Sequence, residues 1–209
     1  MSTTRLRLTS ACFALAGLLF VLYPLLRPFS DETTLQGAAA FGSSAWIVAH
    51  SMAIVAFILL VLGVFGVYLL LQRTDRERWA LIALVLCWIG VGLTLPFYGA
   101  EVFGQHAIGQ AALKENDASL VSLAADVRGD PGIWFIITGL VLLGAGVVVF
   151  AVAVGGSGVF QKWSGVPLAI GFGLYLPQFM WAQPLRVAHG LLIAVGCLII
   201  AWKLLVLRR

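Results

Sequence analysis

Apolar residues run along this chain in long stretches, and short polar segments that carry most of the charge separate them. A helix needs roughly 20 mostly apolar residues to cross the ~30 Å hydrocarbon core of a membrane. The pattern predicts an all-α integral membrane bundle of six transmembrane helices, built as one domain over residues 1–209. The predicted spans cover residues 8–26, 45–71, 79–99, 133–154, 163–180 and 187–207. The span at 163–180 is the weakest of these, because it contains Pro167 and Pro177.

The composition agrees with a membrane protein and excludes a soluble fold. Hydrophobic residues make up 61% of the chain and charged residues only 11%, whereas soluble domains are about 25% charged. The net charge of +4 does not indicate a nucleic-acid partner, because the basic residues sit in short clusters at span ends. Cys12, Cys87 and Cys197 each fall inside an apolar run, which is typical of small core side chains.

The distribution of basic residues predicts the orientation. Cytoplasmic segments of multipass proteins are enriched in Lys and Arg, and with the N-terminus inside, nine of the 13 basic residues lie on the cytoplasmic side. We therefore expect both termini in the cytoplasm and the protein in a bacterial cytoplasmic membrane. The inner set is Arg5, Arg7, Arg73, Arg76, Arg78, Lys162, Lys203, Arg208 and Arg209, and the outer set is Arg27, Lys114, Arg128 and Arg186.

The longest connection between predicted spans lies on the outer side and contains an amphipathic segment at about 117–127. Leu120, Leu123, Ala124 and Val127 recur there at helical spacing. This pattern is typical of a short helix lying on the outer membrane surface. An ordered loop packed over the mouth of the bundle fits the same residues, and both interpretations stay open.

A few ionisable side chains stand out in the apolar background as candidate ligand-binding residues: His50, Glu101, Arg186 and His189. All four map to the outer part of the predicted bundle. An ionisable residue at membrane depth is costly, which makes it a functional hypothesis. Here the depth is modest, so hydrogen-bonded side chains at the membrane interface are the competing interpretation.

Two metal chemistries can be written for these residues. His50 and His189, at similar depth on different helices, could be the axial ligands of haem b. His50, His106 and His189 with Glu101 could instead bind zinc and activate a water molecule. The chain lacks the paired-histidine motif of three-histidine membrane hydrolases, which argues against zinc, and a single histidine pair is weak evidence for haem. The pattern therefore favours neither chemistry, and no cofactor is expected.

Binding of a lipid or another amphiphile without chemistry is the third possibility. Aromatic residues cluster towards the outer ends of the predicted spans, where they could line a cavity or simply anchor the protein at the interface. Small residues at four-residue spacing favour close helix packing, within the chain or with a second copy or another membrane protein. The aromatic residues are Tyr23, Trp46, Phe97, Tyr98, Trp134, Tyr175, Phe179 and Trp181.

Three segments of the second and third predicted spans carry a resemblance. They are residues 45–50 (Ala-Trp-Ile-Val-Ala-His), 66–68 (Gly-Val-Tyr) and 97–101 (Phe-Tyr-Gly-Ala-Glu). The chain resembles a class of small bacterial multipass proteins without an agreed activity, in which Trp and His open one helix and Glu closes the next. The resemblance implies six helices and draws attention to His50 and Glu101, but it implies no function.

These observations together favour a non-enzymatic membrane protein that binds or handles a small amphiphile or a partner at its outer face. Membrane lipid is the expected partner. The alternative is a metal or haem enzyme or redox protein that uses His50, Glu101 and His189 at the same face.

Overall fold

The computed structural model describes residues 1–207. Arg208 and Arg209, which contribute to the predicted orientation, lie outside the described residues. Within residues 1–207 every regular element is a helix, so the expectation of an all-α protein is confirmed. Five segments of that range are helices long and apolar enough to cross a membrane.

The α-helices are α1 (Thr3–Leu26), α2 (Leu35–Phe41), α3 (Ser44–Leu71), α4 (Glu77–Gly99), α5 (Gln105–Glu115), α6 (Leu123–Arg128), α7 (Gly132–Gly156), α8 (Val166–Gly173) and α9 (Gln183–Val206). A π-helical turn at Ala100–Gly104 joins α4 and α5 into one continuous helix of 39 residues. At about 1.5 Å per residue this helix is far longer than a membrane is thick. If this helix crosses a membrane, part of it therefore extends beyond the hydrocarbon.

The segment expected to form a span at 163–180 differs from the other five. It contains the short helix α8 and a 3₁₀ turn at Pro177–Met180 instead of one long helix. Proline has no backbone N–H, so Pro177 cannot donate to the carbonyl of Gly173, the residue where α8 ends. The prediction of six transmembrane helices is thus not confirmed.

Small residues hold α4 and α7 close together in an antiparallel pair. A methyl group added to Gly90 would lie 2.5 Å from the backbone nitrogen of Leu143, and one added to Gly139 would lie 2.5 Å from Oγ1 of Thr94. Such backbone approach is how membrane helices gain packing energy in lipid.

The first helix packs between α3 and α9 and runs antiparallel to both. Thr9, near the start of α1, lies against Gly66 near the end of α3. Ser10 donates a hydrogen bond of 2.8 Å to the carbonyl of Ala201, near the end of α9. The first turns of α1 and the last turns of α9 therefore lie at the same end of the bundle.

A small second core covers the opposite end. It joins α2, α5, α6 and a 3₁₀ turn at Ala118–Ser122, which together we call the cap. The expected amphipathic segment at 117–127 forms this turn and most of α6, and it packs on α2 and α5. The buried residues of the second core are Ala38, Phe41, Trp46, Ala112, Val121 and Ala124.

Candidate functional site

A cavity of about 470 Å³ lies at the capped end of the bundle. Its wall combines ionisable and apolar side chains from six α-helices and from the segments between them. The ionisable side chains, tyrosines excepted, are Arg27, Glu32, His50, Glu101, Arg128 and Arg186. The apolar side chains are Phe29, Phe97, Ile133, Ile136, Ile137, Leu176 and Phe179.

Four charged residues of this wall form one continuous ion-pair network. Arg128 donates to both oxygens of Glu101, at 2.6 and 3.1 Å, and to Oε2 of Glu32 at 2.5 Å. Arg27 donates to Oε1 of Glu32 at 2.6 Å. Since Arg27 follows α1, Glu101 lies between α4 and α5, and Arg128 ends α6, the network ties the cap to the membrane-spanning helices.

The pKa values of Glu32, in the loop before the cap, and of Arg128, in the cap, agree with this geometry. Burial raises the pKa of Glu32, but the guanidinium groups of Arg128 and Arg27 outweigh it, so the pKa lies below its ordinary value of 4.5. Burial lowers the pKa of Arg128, but Glu101 and Glu32 reverse this effect and raise it above the ordinary value. Both residues are therefore held in their charged forms.

The start of α3 and the π-helical turn place Trp46 and His50 against Glu101. Ser43 caps α3 by accepting from the backbone nitrogen of Trp46, so the helix begins just before these residues. Trp46 and His50 are four residues apart and share one face. The Trp46 indole donates to the carbonyl of Glu101 at 2.6 Å. π-Helical turns are frequent at functional sites, and Glu101 lies within this one.

His50 faces the Glu101 carboxylate at a distance slightly longer than a hydrogen bond. Nδ1 of His50 lies 2.9 Å from the carbonyl of Trp46 and must carry a hydrogen there, because a carbonyl only accepts. Nε2 of His50 lies 3.7 Å from Oε2 of Glu101. In a neutral imidazole that nitrogen is an acceptor, so the contact with the carboxylate is attractive only when a proton sits between them.

Arg186 stands apart from the ion-pair network. Its Nε donates to the carbonyl of Trp181 at 2.9 Å, and its Nη2 donates to the carbonyl of Phe179. The Arg186 guanidinium carbon lies 5.2 Å from the ring centroid of Phe29, and that of Arg27 lies 4.6 Å from the same centroid. One aromatic ring therefore contacts two cationic side chains.

The structure brings together three of the candidate residues named from the sequence. His50, Glu101 and Arg186 line the cavity, whereas His189 and His106 do not. Nε2 of His189 lies 2.7 Å from the carbonyl of Gly171 in α8, and Nδ1 of His106 lies 3.1 Å from the carbonyl of Phe41 in the cap.

Two tyrosines link the two membrane histidines. The Tyr98 ring lies 6.4 Å from that of His50, and the Tyr175 ring lies 5.4 Å from that of His189. The Tyr98 and Tyr175 hydroxyl oxygens are 3.5 Å apart. Within residues 1–207 no group of three or more His, Cys, Asp or Glu side chains is arranged to hold a metal ion.

Sequence reasoning missed Arg27, Phe29, Glu32 and Arg128 as site residues. Arg27 and Arg128 entered it only as markers of orientation. The sequence contained a signal for the two arginines. Only four basic residues are predicted on the outer side, and three of them, Arg27, Arg128 and Arg186, line the cavity. Basic residues retained on the side that is otherwise poor in them point to a role beyond orientation.

No family model matches this sequence, and comparison with curated proteins and with solved structures found no match.

Proposed function

We propose that this multipass membrane protein binds a small amphiphile in the cavity at its capped end, without chemistry on the ligand. The observation that carries the proposal is the division of one cavity wall into a charged part and an apolar part. A volume of about 470 Å³ is within the usual range of small-molecule sites, roughly 300–1,000 Å³.

The apolar part of the wall suits a hydrocarbon chain. Ile133, Ile136 and Ile137 come from the first turns of α7, and Leu176 and Phe179 come from the segment after α8. That segment leaves regular α-helix geometry after Gly173. Each buried CH₂ group of a ligand contributes about 0.8 kcal/mol, so a short chain is enough to hold it.

Six crossings of the membrane, with both termini in the cytoplasm, complete this proposal. The contact of Ser10 with Ala201 supports an even number of crossings, because it puts the start of α1 and the end of α9 together. Residues 157–182 then carry the chain back from the end of α7 to the start of α9, and α8 lies antiparallel to both helices along this path. The positive-inside distribution supports an outer location for the cap, in a bacterial cytoplasmic membrane.

Labelling of single cysteines with a membrane-impermeant maleimide tests this orientation. In a chain whose native cysteines are replaced by alanine, Lys114→Cys in α5 should react in intact cells. Thr74→Cys, in the turn between α3 and α4, should react only after lysis. The reverse pattern would overturn the orientation.

Ligand binding is tested by filling the apolar wall. The detergent-purified protein should gain thermal stability with single-chain amphiphiles, and Ile137→Trp should abolish this gain by occupying the cavity. Val141→Trp is the matched control, because Val141 lies one turn further along α7, is 55% exposed and does not line the cavity. Equal responses of the two variants would contradict binding in the cavity.

The same preparations test the alternative of a metal or haem protein. Binding alone predicts a colourless wild-type protein. A Soret band or stoichiometric zinc that disappears in His50→Ala and His189→Ala would instead support an enzyme or redox protein.

A further inference from the structure

We infer that the bound amphiphile has an anionic head group, a carboxylate or a phosphate, which binds between Arg27 and Arg186 beside Phe29. This inference rests on the proposed function and specifies the ligand of the same cavity.

The cavity wall carries more positive than negative charge. Three guanidinium groups and two carboxylates line it. Both oxygens of Glu32 and both oxygens of Glu101 already accept hydrogen bonds from Arg27 or Arg128. Among the residues that the structure describes, no carboxylate lies within ion-pair distance of Arg186. One positive charge of the wall thus lacks a countercharge, and protonation of His50 would add another.

The unbalanced charge of Arg186 lies beside the same aromatic ring as Arg27. Arg186 and Arg27 both contact the ring of Phe29, at 5.2 and 4.6 Å from its centroid. Arg27 also lies over the Trp46 ring, at 4.7 Å, and is only 9% exposed. Two cations near one ring repel each other, and this repulsion grows as water is removed. An anion between them would turn the repulsion into attraction.

The guanidinium groups of Arg186 and Arg27 both have hydrogen-bond donors that no described protein atom accepts. A guanidinium group has five N–H donors in a planar fork. The Arg186 bonds to the carbonyls of Trp181 and Phe179 use Nε and Nη2 and fix the side chain. In residues 1–207, Nη1 of Arg186 donates to no protein atom, and the guanidinium group of Arg27 donates only through Nη2. Carboxylates and phosphates match this fork geometry, which favours them over other anions.

The site for the head group adjoins the apolar part of the cavity. Phe179, whose carbonyl orients Arg186, also lines the apolar part of the cavity together with Leu176 and the isoleucines of α7. A head group at Arg186 therefore lies next to a surface that accepts its hydrocarbon chain. A single-chain fatty carboxylate and a single-chain lipid phosphate both satisfy this description.

The experiment compares ligands that share a dodecyl chain and differ only in the head group. Dodecanoate, dodecyl phosphate, dodecanol and dodecyltrimethylammonium are titrated into the protein in an uncharged detergent, and Trp fluorescence reports binding, because Trp46 contacts Arg27. At least one anion should bind about 10-fold more tightly than dodecanol. A preference for dodecanoate or for dodecyl phosphate then identifies which head group is the natural one.

Arg186→Gln should remove this preference for the anion and leave the affinity for dodecanol unchanged. Arg76→Gln is the matched control, because Arg76 also donates to a backbone carbonyl, that of Gly156 at 3.2 Å, but lies at the other end of the bundle. The comparison of head groups on the wild-type protein decides the question even if Arg186→Gln does not fold.

The outcomes separate the two proposals. Equal binding of dodecanol and both anions would overturn the anionic head group and leave amphiphile binding in place. Tightest binding of the ammonium compound would do the same. Failure of all four compounds to bind would overturn both proposals.

Discussion

Arg128 is the residue whose replacement should loosen the cap most. It is the only residue of the described network that contacts both Glu32 and Glu101. In Arg128→Met the side-chain volume and much of the packing remain, while three hydrogen bonds to carboxylates disappear. Glu101 then remains as a carboxylate whose side chain is only 9% exposed, with no arginine beside it and with the His50 imidazole 3.7 Å away.

The magnitude follows from the degree of burial. Breaking a fully buried ion pair costs about 3–5 kcal/mol, whereas an exposed pair contributes at most about 1 kcal/mol. The Arg128 side chain is 28% exposed and that of Glu101 is 9% exposed, which places this site between the two cases. We expect a loss of about 2–3 kcal/mol in the free energy of unfolding. For a chain of this length that corresponds to a fall of about 4–12 °C in Tm.

The buried cysteines provide the assay. Cys87 and Cys197 have no exposed surface, so a thiol-reactive fluorogenic dye labels them only when the bundle opens. Cys12 is partly exposed and is replaced by alanine in all variants. Arg128→Met is compared with Glu101→Gln and with the double variant. Because both changes break the same contact, the double variant should lose less stability than the two single losses added together.

Two results would refute this reasoning. An Arg128→Met protein that melts at the wild-type temperature would show that the network does not hold the cap on the bundle. Additive losses in the double variant would show that Arg128 and Glu101 act through separate contacts.

Three further predictions concern the bundle and its cap. Gly90→Ala should destabilise the protein, because the added methyl group would meet the backbone of α7. Gly92→Ala on the same helix should not, since no atom of a neighbouring element lies within 4 Å of its added methyl group. Thermal melts with the thiol dye measure both effects. Lowering the pH below about 4.5 should reduce the free energy of unfolding, because the pKa of Glu32 is lower in the folded state than in the unfolded state. The stabilising contribution of Glu32 is present above pH 4.5 and is lost as the carboxylate of the folded protein becomes protonated. Denaturation of Glu32→Gln should lack this part of the pH dependence. Trp46→Phe should lower the free energy of unfolding by about 1–2 kcal/mol, because the buried carbonyl of Glu101 loses its indole donor, and a loss no larger than that of the exposed Trp202→Phe would contradict this.

The role of Pro177 shows where reasoning from sequence alone reaches its limit. Hydropathy correctly marks residues 163–180 as apolar. The backbone conformation there depends on which carbonyls lose a hydrogen-bond donor, as the carbonyl of Gly173 does at Pro177. The irregular segment after Gly173 also contributes Leu176 and Phe179 to the cavity wall.

Length, hydropathy and the rarity of ionisable residues are local properties of a sequence, and they are sufficient to predict the all-α class, the five long apolar helices and His50, Glu101 and Arg186 as candidate residues. The lining of the cavity, in which Arg27, Glu32 and Arg128 join these residues and His189 does not, depends on tertiary packing. These residues come from distant parts of the chain, and their meeting depends on how the cap folds over the bundle. Which charged residues pair across such separations in sequence depends on tertiary packing, and tertiary packing cannot be read from any one segment of the chain.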